Sequence, residues 1–402
     1  MVKKTIIAAI LILILATASV YTVYNQFYTP NSPSSKNTSN PSTQNSPTSS
    51  ENTSTDSSTP HKPSSSSSSG TESSNSSRSI VDGAGFIVNL PESVKRIVVL
   101  DGNLAEMLCY MGLQNSIVGR TDAQCPPQLL NVKSVGEAGY AVNVEAVLEL
   151  QPDLIIADQL LPSDYYETGA YTKLRATGVP IYISQPPSSA QNPLLMTPEE
   201  LYNAPTGIDI VCSVMQDLST VVGNKDRVDA FVTWAQSYNQ LVKDRIATLP
   251  REQQTIAFFE WNSFPYYTTI DLHLYQAGGL NIAENMTTAG AQYSPERVVE
   301  QNPSVIITLI SSPSHNVNDF IVARNEVLSR PALKDVDAVK NGRVYVCDFS
   351  ALNGMRSIIG YLYWAKWIQP DLFSDIDPAA VTTTLNQQYL GTPVSDTYCY
   401  PR

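Results

Sequence analysis

Hydrophobic positions along this chain alternate between short unbroken runs and longer stretches with helical spacing. "RIVVL" at 96–100 is β-branched and uninterrupted, the pattern of a strand covered on both faces. "NLAEMLCYMGL" (103–113) carries its apolar residues at helical spacing and stops near Gly112. "SIVGR" (116–120) and "DLIIA" (153–157) predict further strands. The second follows a helix that Asn143 caps and Pro152 ends. "TKLRATG" and "VPIYIS" (179–184) add another helix and strand. This alternation implies a parallel sheet with helices on both faces.

A long helical pattern then runs from about Gly207 to Leu249 with no breaker after Gly223. Continuous from Lys225 to Leu249, it would be about 37 Å long. It reads as a rigid strut between two lobes rather than a hairpin packed inside one, because α/β units resume after it. These are "TIAFFE" (255–260), a helix in "LHLYQAGGL" (272–280), a helix capped by Ser294 and the strand "SVIITLI" (304–310). "ALKDVDAVKNGRVYVCD" (332–348) ends in a strand, and "GYLYWAKWIQPDLF" (360–373) predicts an amphipathic, aromatic-rich helix. The expected fold class is α/β. Two Rossmann-like lobes with parallel sheets are joined by a long rigid helix and preceded by an N-terminal transmembrane segment and a disordered stalk.

The N-terminus supplies those last two features. Lys3 and Lys4 precede an apolar run from Thr5 to Tyr24, long enough to span ~30 Å of hydrocarbon. Residues 1–24 therefore read as a membrane anchor, with a cytoplasmic N-terminus and an exported body, or as a cleaved signal sequence. The length of the run favours the anchor, and no cysteine before Cys109 offers a lipidation site. Residues 25–79 are Ser, Thr, Asn and Pro with almost no apolar content, the composition of a flexible stalk. The expected divisions of the body are 80–205 for the N-terminal lobe, 206–250 for the inter-lobe helical region and 251–402 for the C-terminal lobe. Asn37, Asn52, Asn75 and Asn285 begin glycosylation sequons.

Charge and cysteine usage narrow the function. A net charge of −12 argues against binding nucleic acid. Five scattered cysteines without a CxxC pair do not suggest zinc, and spacing alone cannot choose disulfide partners. His61 lies in the stalk, and His273 and His315 are far apart in sequence, so no metal site and no cofactor are expected. G-x-S-x-G, H-E-x-x-H and phosphate-loop motifs do not occur, which argues against an enzyme.

One pattern is written twice. "VEAVLELQPDLIIAD" (144–158) and "PERVVEQNPSVIITL" (295–309) share Glu-x-Val-x-Glu-x-x-Pro-x-x-Ile-Ile. Both leading glutamates, Glu145 and Glu296, fall at the second helical residue. Either alone reads as a favourable partner for a helix dipole, at about 0.3–1 kcal/mol. Their equivalence suggests two exposed handles, one per lobe.

These segments, with "KRIVVLDGNLAEMLCYMGLQNSIVGR" and "LKDVDAVKNGRVYVCD", resemble the class III solute-binding proteins of iron-complex and cobalamin ABC importers. "GMRSIIGYLYWAKWIQPDLF" resembles the archaeal-type branch, where Gly-Pro-Arg precedes an "AKW" helix; Met355 departs from it. The resemblance covers about 80–390. It implies capture of an iron complex, siderophore-like, or a related metal chelate between two lobes, and delivery to a membrane permease and its ATPase. Haem, cobalamin or an oxyanion such as molybdate are alternative ligands, and a stalked envelope protein without transport is the alternative role. It also implies that Glu145 and Glu296 pair with permease arginines. The protein would then sit at the cell surface, anchored by its N-terminal segment, or be secreted if that is cleaved.

Ligands of open α/β sheets gather beyond the carboxyl ends of the strands. Residues expected there are Asp101, Asn103, Arg120, Gln159, Trp261 and Ser312, with Tyr140 and Tyr267 in nearby loops. Asn103 is also the expected cap of its helix. Four aromatics in "WNSFPYY" suit a ligand surface. Arg356 is the expected clamp for an anionic ligand. His315 follows a strand end and leaves haem ligation open.

Overall fold

The computed structural model describes residues 78–137, 142–158, 161, 169–184, 196–286, 290–312, 314–393 and 396–401. The expected membrane segment, the stalk and the sequons at Asn37, Asn52 and Asn75 lie outside these residues. Among the described residues no helix is long and apolar enough to cross a membrane.

The described chain opens with a hairpin the hydrophobic pattern did not predict, β1 (Arg78–Val81) and β2 (Ile87–Leu90). The buried Asp82 closes its turn by accepting from the backbone N–H groups of Ala84 and Phe86. The first lobe follows: β3 (Ile97–Val99), α1 (Gly102–Tyr110), β4 (Ile117–Arg120), β5 (Lys133–Ser134), α2 (Val144–Glu149), β6 (Leu154–Asp158), α3 (Ala170–Ala176) and β7 (Ile181–Ser184). Its sheet is parallel throughout, in the order β5-β4-β3-β6-β7. The chain starts at the central strand, builds one side, then crosses to the other. The reversal falls between β3 and β6, and such a switch point opens a crevice at the carboxyl ends.

Next come α4 (Pro198–Asn203), α5 (Gly207–Val222) and α6 (Lys225–Ala247). The helix expected over Lys225–Leu249 is present as α6, and the expectation lacks only that α5 packs along it as a hairpin. Gly223 and Asn224, both at positive φ, make the reversal, and these two residue types tolerate that conformation best. α6 still spans from one lobe to the other, its 23 residues covering about 35 Å. Near its start the Tyr110 hydroxyl of α1 donates to the Arg227 carbonyl at 2.6 Å. Near its end Arg245 pairs with Asp375 at 2.6 Å.

The second lobe comprises β8 (Thr255–Trp261), β9 (Tyr267–Thr268), α7 (Leu272–Gln276), β10 (Gly279–Asn281), β11 (Ala291–Gln292), α8 (Pro295–Gln301), β12 (Val305–Ile310), α9 (Val317–Leu328), α10 (Asp337–Lys340), β13 (Val344–Asp348), α11 (Ser357–Ile368), α12 (Pro378–Thr384) and β14 (Cys399–Tyr400). Its sheet has the order β10-β8-β12-β13-β14, parallel except for the antiparallel β14 at the edge. The stretch expected as one helix over 272–280 divides, because Gly278 at positive φ ends α7 and releases β10 into the sheet.

α11 is not amphipathic. Eleven of its twelve residues are buried and only Lys366 is not, so it is a central core helix. It packs against both α5 and α6, and Trp364 on it is fully buried. Its close approach to the 349–352 turn depends on Gly360, where a Cβ would lie 2.5 Å from the Ala351 carbonyl oxygen.

The twice-written pattern folds the same way twice. Asn143 accepts from the Ala146 N–H at the head of α2, and Ser294 accepts from the Arg297 N–H at the head of α8. Each helix then leads into a fully buried strand segment, Ile155-Ile156 in one lobe and Ile306-Ile307 in the other.

Candidate functional site

The carboxyl ends of the two sheets carry most of the residues expected to meet a ligand, and most of these already have partners. Asp101, not Asn103, caps α1: its Oδ1 accepts from the Leu104 N–H at 2.8 Å. Burial pushes its carboxyl above the ordinary value, against the lowering effect of the backbone N–H groups around it. Asn103 instead lies inside the first turn of α1 and reaches the other lobe. A Cβ on Gly354, at φ +57°, would sit 2.4 Å from the Asn103 Oδ1.

Arg120 ends β4 and is only 8% exposed. Its guanidinium pairs with Asp122, and its Nε and Nη2 donate to the Leu129 and Leu130 carbonyls at 3.3 and 3.4 Å. It is therefore a fastener for the 127–130 turn. Ser312 is likewise internal: its N–H donates to Asp348 at 2.7 Å and its hydroxyl to Asp319 at 2.6 Å. Tyr140 and Gln159 lie outside the described residues.

Arg356 is not a free clamp. Its Nη1 donates to Glu106 Oε2 at 2.6 Å, joining the turn before α11 to α1 of the first lobe. Its guanidinium carbon lies 5.4 Å from the Tyr398 ring centroid. Burial opposes its charge, but Glu106 and Tyr398 more than offset that and raise its pKa. Glu106 was not among the expected site residues. The available signal was a lone acid in an otherwise apolar helical run.

His315, at φ +47°, packs its ring 4.6 Å from Tyr398. Its Nε2 faces Asp348 at 4.0 Å and its Nδ1 faces Asp396 at 3.9 Å. Burial lowers its pKa, with Asp348 acting in the opposite direction. Both ring nitrogens thus face carboxylates of the protein itself.

Among the described residues, the aromatic loop 261–267 is partly exposed. Trp261, half-buried at the end of β8, packs against Phe349 after β13 with centroids 5.6 Å apart, and against Phe259 at 6.1 Å. The loop beyond it is held from below. Glu260, fully buried, accepts from Arg330 with both oxygens at 2.8 Å and from the Tyr266 N–H at 2.8 Å. Burial drives the Glu260 carboxyl upward against the pull of Arg330. Arg330 also lies 4.9 Å from the Tyr266 ring centroid. Tyr266 takes φ +64°, and Tyr267 then pairs with Gln292 in the short β9–β11 ladder. Such a ring surface, fixed by a buried ion pair, can cover a flat or apolar ligand face.

Glu145 and Glu296 are both exposed at the second residue of α2 and α8. At Glu296 the local backbone N–H and the Ser294 hydroxyl hold the carboxyl below its ordinary range.

The family described as "Periplasmic binding protein" matches residues 97–351. The chain belongs to that family. A periplasmic binding protein is a solute-binding protein and not an enzyme, and this one is the substrate-binding protein of an ABC transporter. It is 25% identical over 305 residues to an uncharacterized ABC transporter substrate-binding lipoprotein, YvrC of Bacillus subtilis, covering 74% of this chain and 87% of that protein. A cobalamin-binding protein of Halobacterium salinarum is 22% identical over 280 residues, covering 68% of each. The solved structure of the Haemophilus influenzae molybdate-binding protein MolA, bound to molybdate, has the same fold with a TM-score of 0.59. Sequence identity there is 20%, over 78% of this chain and 98% of that one.

Proposed function

We propose that this binding protein captures a bulky metal chelate, an iron complex of the siderophore type, and presents it to the permease of its ABC transporter. The observation that carries this reading is the Trp261–Phe349 surface at the strand ends, taken together with two candidate arginines that are already engaged elsewhere. A small oxyanion calls for convergent donors or a free cation. Arg120 and Arg356 have carboxylate partners instead, which favours a ligand with an apolar or aromatic face over molybdate. Haem ligation by His315 is disfavoured, since carboxylates flank both its nitrogens. The cobalamin-binding relative supports a corrinoid as the second reading, because a corrin also offers a broad face to aromatic rings.

Asn103, Tyr140, Gln159 and Tyr267 complete the proposed ligand surface with Trp261. Glu145 and Glu296 are the proposed docking handles for the permease. The N-terminal segment is the proposed anchor and 25–79 the proposed stalk, which together hold the body outside the membrane. Asn285, exposed in the body, is the proposed glycosylation site there, with Asn37, Asn52 and Asn75 on the stalk.

Titration of the purified protein with ferric siderophores, cobalamin, haem and molybdate, read by tryptophan fluorescence and native mass spectrometry, tests the reading. A ferric siderophore should bind one to one and quench Trp261, and Trp261→Ala should weaken it about tenfold, as for loss of ~1–1.5 kcal/mol of aromatic contact. Binding of molybdate alone would overturn it.

A further inference from the structure

We propose that Cys347 and Cys399 form a disulfide that staples the last strand to the C-terminal sheet. The two residues are register partners in the antiparallel pair β13–β14. On one side of them the Asp348 N–H donates to the Tyr398 carbonyl at 2.7 Å, which makes 348–398 a hydrogen-bonded pair. The alternation of an antiparallel ladder then makes 347–399 a non-hydrogen-bonded pair. At such positions Cα atoms approach to about 4.5 Å, within the range a disulfide bridges. The Sγ atoms already touch at 3.3 Å. Small rotations about both Cα–Cβ bonds bring them to the ~2.05 Å of a bond.

The reaction is thiol–disulfide exchange with a disulfide-bearing oxidant. One cysteine attacks an oxidant sulfur as its thiolate, forming a mixed disulfide and releasing one oxidant thiol. The second cysteine displaces the other oxidant sulfur. One Sγ–Sγ bond forms, the oxidant's S–S bond is lost, and both hydrogens end on the oxidant, which leaves as two thiols. Both cysteines are buried, Cys347 at 0% and Cys399 at 2% exposure. Burial and the neighbouring sulfur also raise the Cys399 thiol well above its ordinary value. Exchange therefore belongs to the stage before β14 docks, and the closed bond is then shielded from reductant.

The staple joins the functional half of the C-terminal lobe at its two ends. The chain between the two cysteines carries Phe349, Arg356 and α11, and ends at Asp396 and Tyr398. Fixing β14 fixes Tyr398 beneath the Arg356 guanidinium and Asp396 beside His315. It also closes a two-residue edge strand otherwise held by backbone pairing, by packing and by the Trp367 indole N–H donating to the Pro401 carbonyl at 3.3 Å. The proposed extracytoplasmic location supplies the oxidising surroundings in the cell, and the pairing itself is independent of the ligand.

The test uses the reduced, denatured full chain, refolded in detergent with oxidised glutathione. Free thiols are then alkylated under denaturing conditions, and mass and linked peptides are read. Three cysteines should alkylate, and one linked peptide pair should join Cys347 to Cys399. Five alkylated cysteines, glutathione adducts at 347 or 399, or a link confined to other cysteines would overturn the proposal. In parallel, wild type refolded with oxidised glutathione should melt several degrees above wild type refolded from denaturant in reductant, whereas a Cys347→Ser/Cys399→Ser variant should melt at the same temperature after either refolding. A wild type indifferent to the refolding condition would refute the stapling role, while ligand titration of the same samples reports separately on the transport reading.

Discussion

Glu106 and Arg356 meet at 2.6 Å across the two lobes, with side chains 7% and 14% exposed. One stands on α1 and the other just before α11, so each lobe holds the other's charge. Removing one partner from a buried pair leaves an uncompensated charge, at a cost of about 3–5 kcal/mol. Glu106→Ala should lose that much in urea denaturation. A Glu106→Leu/Arg356→Met variant should recover much of it, because an apolar pair of similar volume avoids the desolvation cost. A single variant losing less than ~1 kcal/mol would mean that water reaches the pair.

Asp209 carries a pH prediction. It sits in the first turn of α5 and accepts from Lys243 at 2.7 Å and Asn239 at 2.8 Å on α6. Burial works to raise its carboxyl, but the hydrogen bonds from Lys243, Thr206 and Gln236 outweigh it and the folded-state value is lowered. A carboxylate with a depressed folded pKa contributes stability above its unfolded pKa and loses it as pH falls through the folded value. Asp209 should therefore stabilise the hairpin fully above its ordinary value of 3.8 and progressively less below it. Chemical denaturation across this range should show Asp209→Asn less stable than wild type at neutral pH, with the gap shrinking as the pH falls below 3.8.

Gly360 offers a packing test that leaves every charge in place. A Cβ there would lie 2.5 Å from both the Ala351 carbonyl oxygen and a Leu352 methyl. The oxygen belongs to backbone and cannot rotate away. Gly360→Ala should cost about 1–3 kcal/mol by overpacking. Because the displaced turn also carries Phe349, the variant should shift Trp261 fluorescence, which a change confined to helix propensity would not.

The alternation of runs and helical spacing was enough to read two α/β lobes, since buried parallel strands such as Ile155-Ile156 announce themselves. It placed the break at Gly223 and the long helix after it, but not the packing of α5 back onto α6, because helical periodicity is the same whether a neighbouring helix folds back or continues away. It predicts an amphipathic helix for α11, though the aromatic residues there are covered from several sides, Trp364 by Phe259 and His273 and Trp367 by Tyr345 and Pro401. At the site, strand-end position predicted where side chains lie but not whether they are free. Arg356 looked available because its partner Glu106 is 250 residues away in the chain, whereas Arg120 has its carboxylate partner, Asp122, two residues on and only the Leu129 and Leu130 carbonyls depend on how the following turn folds back. Trp261 was legible from aromatic density in a loop, whereas Glu260 and Arg330, which hold that loop, are 70 residues apart and gave no local sign.

Glu145 and Glu296 make the test of docking. Each is exposed at the second residue of a short helix capped by its neighbour, Asn143 or Ser294, and neither contributes to the aromatic surface. Glu145→Lys/Glu296→Lys should therefore leave ligand affinity within about twofold of wild type. Uptake by cells carrying the matching transporter should be lost, since a cation replaces an anion at both contacts. Either single variant should fall between, and its residual uptake should respond to ionic strength because exposed pairs are screened over about 8–10 Å. Unchanged uptake in the double variant would show that the equivalence of the two glutamates serves the helix dipoles alone.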